Sequence, residues 1–283
     1  MKKAAINDIR IRARIYPALL ALVAILFVSP LRAQDSLFRH LQTLPFGGSE
    51  FAVDQFENLY LLTPTGQLKK YGASGDSLAV FNDVRRFGRL HSFDVSNPLR
   101  PLLFYKDFST IVLLDRFLAV KATLDLRRQG IAQVSAATNA YNNDIWIFDA
   151  VENKLKKIDE TGRMLQETPD FRQLFDRAFV PDHILDQDAQ VFLYDQRSDV
   201  LIFDYFGTLQ KKQRVGQWQS FQVRNRQLIG MLDGGIVLLN TATQQQRYLA
   251  FPPSFRSFRR YVLHNDKIYA LGPDHIRIYR VGF

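Results

Sequence analysis

Short apolar runs separated by turn residues fill the chain after the first thirty-odd positions, and they recur. One class of run sets aliphatic and aromatic residues side by side: Leu59–Leu62 (LYLL), Leu102–Tyr105 (LLFY), Ile145–Phe148 (IWIF), Val191–Tyr194 (VFLY), Leu228–Met231 (LIGM) and Ile268–Leu271 (IYAL). Their starts lie 43, 43, 46, 37 and 40 residues apart. A second run follows each, at Gln67–Tyr71, Thr110–Leu114, Lys154–Ile158, Val200–Phe203, Ile236–Leu239 and Ile276–Tyr279, offset by 8, 8, 9, 9, 8 and 8 residues. Further runs lie upstream, such as Phe51–Val53 and Tyr261–Leu263, and downstream, such as Leu78–Phe81 and Val120–Leu124. A unit of about forty residues holding four short strands is a repeat whose neighbours share a core.

That pattern predicts an all-β, six-bladed β-propeller. Each blade is covered on both sides by its neighbours, so its strands read as near-continuous apolar runs rather than clean alternation. The sixth copy stops at Phe283 after its third strand. The segment around Leu37–Leu41 is therefore expected to supply the missing outer strand, closing the ring and removing an exposed sheet edge. Runs of four or five residues fall short of the about 9–11 that a membrane barrel strand needs. One insertion reads as helical. Thr168-Pro169-Asp170 sets a capping hydroxyl, a first-turn proline and an acid before Phe171, Leu174, Phe175 and Ala178. This predicts a short amphipathic helix from Pro169 to about Ala178, between blades three and four.

Charge changes the picture mainly at the N-terminus. Lys2, Lys3, Arg10, Arg12 and Arg14 precede the apolar run Ala18–Val28, and Ser29-Pro30-Leu31-Arg32-Ala33 follows. That is the order of an export leader, expected over residues 1–33 and leaving 34–283 as the propeller. The apolar run has 11 residues, against the about 20 that span a bilayer as a helix; an uncleaved anchor is the alternative. Through Arg32 the leader holds six cations and one acid, and removing that net +5 from the formal +9 leaves +4. The basic surface that nucleic-acid binding needs largely goes with it. The chain has no cysteine, which excludes disulfides, thiolate metal sites and a cysteine nucleophile. The expected location is periplasmic or outer-membrane-associated through a partner, with no membrane span in the mature chain.

Three stretches carry a family resemblance: Phe51–Tyr71, Asn143–Gly162 and Ile184–Gly207. Asp54 or Asp186 ends the inner strand, Asn58 or Asn143 turns into the second, Asp149 or Asp195 follows it, and Gly162 or Gly207 sits in the last hairpin. These resemble repeats of the six-bladed NHL-type propeller superfamily. The resemblance implies the fold. Because that superfamily includes binding scaffolds, lactonase-like hydrolases and lyases, it leaves activity open.

Ligands of propellers bind where inner strands begin. Counting 9 to 12 residues back from each second-strand run gives Glu50, His91, Gln133, Asp182, Gln219 and Arg259, a polar ring at the channel mouth. Glu50 and Asp182, with Gln133 or Asn139, are oxygen donors suited to a divalent cation. Arg259 opposes that reading and is expected to pair with Glu50, so no cofactor is assigned. His91, His183 and His264 fall at unequal offsets and are read as unrelated. Asp186-Gln187-Asp188 is read as a turn rather than a calcium loop. No H-E-x-x-H, G-x-S-x-G, P-loop or G-x-G-x-x-G motif is present. Cations gather in the connections leading into inner strands: Arg85, Arg86 and Arg89; Arg172 and Arg177; Arg256, Arg259 and Arg260. Phe87, Trp218, Phe255 and Phe258 lie in the same connections and are expected to be exposed beside them. Arginine with aromatics is the composition of interface hot spots. The expected function is non-enzymatic binding of another envelope protein through this face. The alternatives are a metal-dependent hydrolase or lyase of lactonase-like type, and an accessory of outer-membrane assembly or secretion machinery.

Overall fold

A computed structural model describes residues 37–175, 179–196 and 199–282; the expected leader lies outside them. Strand β1 (Phe38–Leu44) comes first. Blade one follows as β2 (Glu50–Val53), β3 (Leu59–Leu62), β4 (Leu68–Tyr71) and β5 (Ser77–Phe81). Blade two is β6 (Ser92–Asp94), β7 (Leu102–Tyr105), β8 (Thr110–Leu114) and β9 (Val120–Asp125); blade three is β10 (Val134–Asn139), β11 (Ile145–Asp149), β12 (Lys154–Ile158) and β13 (Met164–Glu167). Blade four comprises β14 (His183–Gln187), β15 (Gln190–Asp195), β16 (Asp199–Phe203) and β17 (Leu209–Arg214), and blade five β18 (Ser220–Arg224), β19 (Gln227–Leu232), β20 (Gly235–Asn240) and β21 (Gln246–Ala250). Blade six is β22 (Arg260–His264), β23 (Lys267–Leu271) and β24 (Ile276–Val281), completed by β1.

The six four-stranded sheets form a propeller ring. The β1 strand pairs antiparallel with β24, from Phe38 opposite Val281 to Leu44 opposite Ile276. The closing strand is thus the N-terminal one, longer than the sequence suggests. Its anchor is Phe38, whose ring lies 5.0 Å from that of Phe255.

Apolar clusters fill each junction between blades. Trp146 and Phe148 of blade three face Leu193 and Phe203 of blade four, for example. In blade five Gly230 replaces a larger residue because Trp218 packs where a Cβ would lie. The turns follow the sequence chemistry. Asp54 accepts from the N–H groups of Phe56 and Asn58, each at 2.9 Å, while Gly162 and Gly207 take left-handed φ of 89° and 79°. Asp188 and Ala189, with φ 55° and 62°, make the tight turn between β14 and β15. So the Asp186-Gln187-Asp188 fragment is a hairpin.

Among the described residues there are two short α-helices, α1 (Val84–Phe87) and α2 (Phe171–Phe175). The second starts two residues later than expected, residues 176–178 lie outside the described ones, and its first turn is organised by Asp170, whose Oδ1 accepts from Arg172 N at 2.9 Å. The Thr168 hydroxyl instead accepts from Leu155 N, tying the connection to blade three. No helix among the described residues is long and apolar enough to cross a membrane.

Candidate functional site at the channel mouth

Strands within each blade alternate in direction. The connections into inner strands, and those from second to third strands, therefore share one face, here called upper. The remaining hairpins share the lower face. The inner strands open at the upper face around a cavity of about 370 Å³. Four members of the predicted ring line it: Glu50, His91, Asp182 and Gln219. Gln133 does not. It precedes β10, and its carbonyl accepts from Ala150 N at 2.9 Å.

Arg259 does not line the cavity either. Its guanidinium donates to Gly272 O at 3.4 Å. Its neighbour Arg260 enters in its place and meets Glu50 at 3.2 Å. The reason is register. Successive residues of a strand point to opposite sides, so a one-residue error reverses the assignment. Glu50 and Arg260 are both first residues of adjacent inner strands, β2 and β22. Arg260 also donates to Gln219 O at 3.3 Å, linking blades five and six.

The reading of the histidines as unrelated is corrected in part. His183, the first residue of β14, lines the same cavity as His91. His264 ends β22 at the other side of the ring. The channel wall surrounds both mouth imidazoles even where water reaches them. Burial, with the charges of His91 and Arg260, holds His183 below its ordinary value of 6.5 against the opposing pull of Asp182. Burial, then Lys106, depress His91, with Asp107 and Asp182 opposing. Both are neutral at pH 7, each able to donate at one nitrogen and accept at the other. Burial raises the Glu50 carboxyl, while Arg260 pulls it back. Asp182 accepts from Gln196 N at 3.0 Å, and Gln219 donates to Asp233. The mouth thus offers one guanidinium, carboxylates and two neutral imidazoles within one cavity. Among the described residues, no group of three or more His, Cys, Asp or Glu is arranged to hold a metal ion.

Around the mouth, Arg85, Arg86, Arg89, Arg172 and Arg256 are exposed on the upper face. Arg86 lies 4.0 Å from Asp83. Arg172 grips Asp170 with a closest contact of 2.7 Å. Arg177 lies outside the described residues. The aromatic half of the expected face is overturned: Phe87, Trp218, Phe255 and Phe258 are all buried. Phe255 and Phe258 sit in an aromatic cluster with Phe38, Tyr261 and Tyr279, which seals the closing blade. Connections bearing these rings fold down onto the blades because each ring removes a large apolar area from water.

The geometry has relatives among solved structures. A virginiamycin B lyase from Staphylococcus aureus is 12% identical, with 85% of this chain and 99% of that one covered and a TM-score of 0.60. A putative exported protein from Bacteroides fragilis is 10% identical, covering 90% and 98% at 0.59. BamB from Moraxella catarrhalis is 13% identical, covering 88% and 94% at 0.51. At these identities the likeness is one of fold: the chain is a six-bladed β-propeller. No protein-family profile matches the chain, and no curated protein does.

Proposed function

We propose that this protein is an exported, non-enzymatic binding propeller, with NHL-like repeats, that grips an acidic or polar loop of another cell-envelope protein at its upper face. The observation that carries the reading is the set of exposed arginines around the mouth cavity, which itself holds Arg260 beside Glu50 and Asp182. Arg85, Arg89 and Arg256 are exposed and carry no ion pair among the described residues. A field of one sign around a concave site steers an oppositely charged partner. Inside the mouth, Arg260 and the two imidazoles supply hydrogen bonds to whatever enters. The partner sought is a protein of the outer membrane or its machinery. The experiment is recovery of partners from native envelope with Arg85→Glu/Arg89→Glu/Arg256→Glu. All three sites are exposed, so folding is retained and recovery is expected to drop at least tenfold. Unchanged recovery would refute the face.

The two neutral imidazoles beside Asp182 favour a second reading, in which His91 or His183 moves a proton on a small cyclic substrate. Turnover of a panel of lactones and cyclic esters, abolished by His183→Ala, would support it. A rate no higher than the blank across the panel retires it.

A further inference from the structure

A second cavity lies away from the mouth, about 590 Å³ between blades five and six toward the lower face. Its origin is visible in the register of the blades. In each second strand the residues that face the next blade pair with residues of the third strand, and one such pair lies toward the lower face. In blade three that pair is Trp146 and Lys157, in blade one Tyr60 and Lys70, and in blade five Ile229 and Leu238. The first two pairs plug their junctions. Lys157 Nζ stands 5.4 Å from the Trp146 ring centre, and Trp146 Nε1 donates to Asp186 of blade four at 3.0 Å. Lys70 Nζ lies 5.2 Å from the Tyr60 ring and donates to Arg116 O of blade two at 3.0 Å. Blade two has an aliphatic pair, Leu102 and Leu113, but buried Arg100 crosses to Asn139 of blade three at 2.9 Å. At blade five the pair is small and aliphatic; the side chains that cross to blade six, Gln222 and Arg224, come from the inner strand, and a cavity remains at the junction.

The walls of that opening define what fits. Ile229, Leu238 and Leu263 make an apolar floor; Arg224 and Arg247 stand above it, and the remaining lining is uncharged amide. No carboxylate lines it. Arg224 is anchored by donating to Asn265 O of blade six, while Arg247 is exposed. The cavity falls in the size range of small-molecule sites, about 300–1,000 Å³.

The geometry points to an unassigned binding site here for a small amphipathic carboxylate, its chain laid on Ile229, Leu238 and Leu263 and its head held by Arg224 and Arg247. A guanidinium holds a carboxylate with two parallel hydrogen bonds, stronger than neutral ones. An apolar chain on the floor adds affinity in proportion to the area it covers.

The test is calorimetric titration of the purified protein with decanoate, decanol and acetate. Decanoate is expected to bind one per chain, at least tenfold tighter than either the uncharged chain or the bare head. Arg247→Gln, an exposed change that leaves folding intact, is expected to weaken decanoate about tenfold and leave decanol unchanged. Ile229→Trp/Leu238→Lys transplants the blade-three plug and is expected to abolish binding while circular dichroism is retained. Two results overturn the proposal: decanoate failing to bind below about 1 mM, or binding wild type and Arg247→Gln with equal affinity.

Discussion

The two faces of the ring use the same residue types to opposite ends. On the upper face, arginines are exposed while the aromatics of the connections into inner strands are buried or half-buried: Phe255 is 1% exposed and Phe258 6%, against 52% for Phe108 in the short turn between β7 and β8. On the lower face the aromatics are out. Phe56, Phe117, Tyr141 and Phe206 stand in hairpin turns, with Phe206 86% exposed. Four lower-face acids, meanwhile, are committed to the backbone. Asp54, Asp115, Asp159 and Asp204 each accept two backbone N–H groups of their own turn. The difference teaches that composition of a loop does not tell which of its side chains are available. A long connection has room to fold a ring into the junction beside it. A five-residue hairpin spends its polar groups on its own turn and leaves its ring in water.

Four changes break or sharpen this contrast, beginning with the largest. Phe255→Ala removes a ring that contacts Phe38, Phe251, Tyr261 and Tyr279. It is expected to cost about 3–5 kcal/mol in urea unfolding; a neutral result would return Phe255 to the surface. Asp54→Ala, on the lower face, deprives two backbone N–H groups, the Asn58 amide and the Tyr60 hydroxyl of their acceptor. A loss of about 3 kcal/mol is expected by the same measurement.

A smaller effect concerns pH. Burial holds His91, His183 and His264 below 6.5 in the folded protein. The unfolded chain therefore binds protons more readily, and stability is full above 6.5 and declines as pH falls below it. The raised carboxyls of Glu50 and Asp186 oppose this, because the folded state takes up their protons above their ordinary values of 4.5 and 3.8. Chemical unfolding at pH 7.5 and 5.5 checks the sign, and His183→Gln is expected to flatten the slope. The smallest effect is that of Phe206→Ser, an exposed lower-face change expected to alter stability by less than about 0.5 kcal/mol.

Much of the fold was legible because the repeat imposes it. The runs Leu59–Leu62, Leu102–Tyr105, Thr110–Leu114 and Lys154–Ile158 are strands with those bounds. A core strand between two neighbours has no freedom to be anything but apolar, so its pattern survives. Closure by the N-terminal strand followed from a blade left one strand short. The site was legible in part. Counting back from the second strands reaches four mouth residues, but it crosses connections of unequal length, so it selects Arg259 where Arg260 enters and separates His183 from His91. The buried state of Phe87, Trp218, Phe255 and Phe258 had no local signal, since the surfaces that cover them come from distant strands. The open junction at Ile229 and Leu238 is visible only once the paired register shows what fills its equivalents.

The central claim is that the upper face does the binding, and hydrogen exchange of the protein with and without its envelope partner tests it most directly. Protection in segments 82–91, 126–133 and 251–259 is the predicted result. Protection confined to the lower-face turns 54–58, 115–119, 140–144 and 204–208, with their exposed rings, would contradict it.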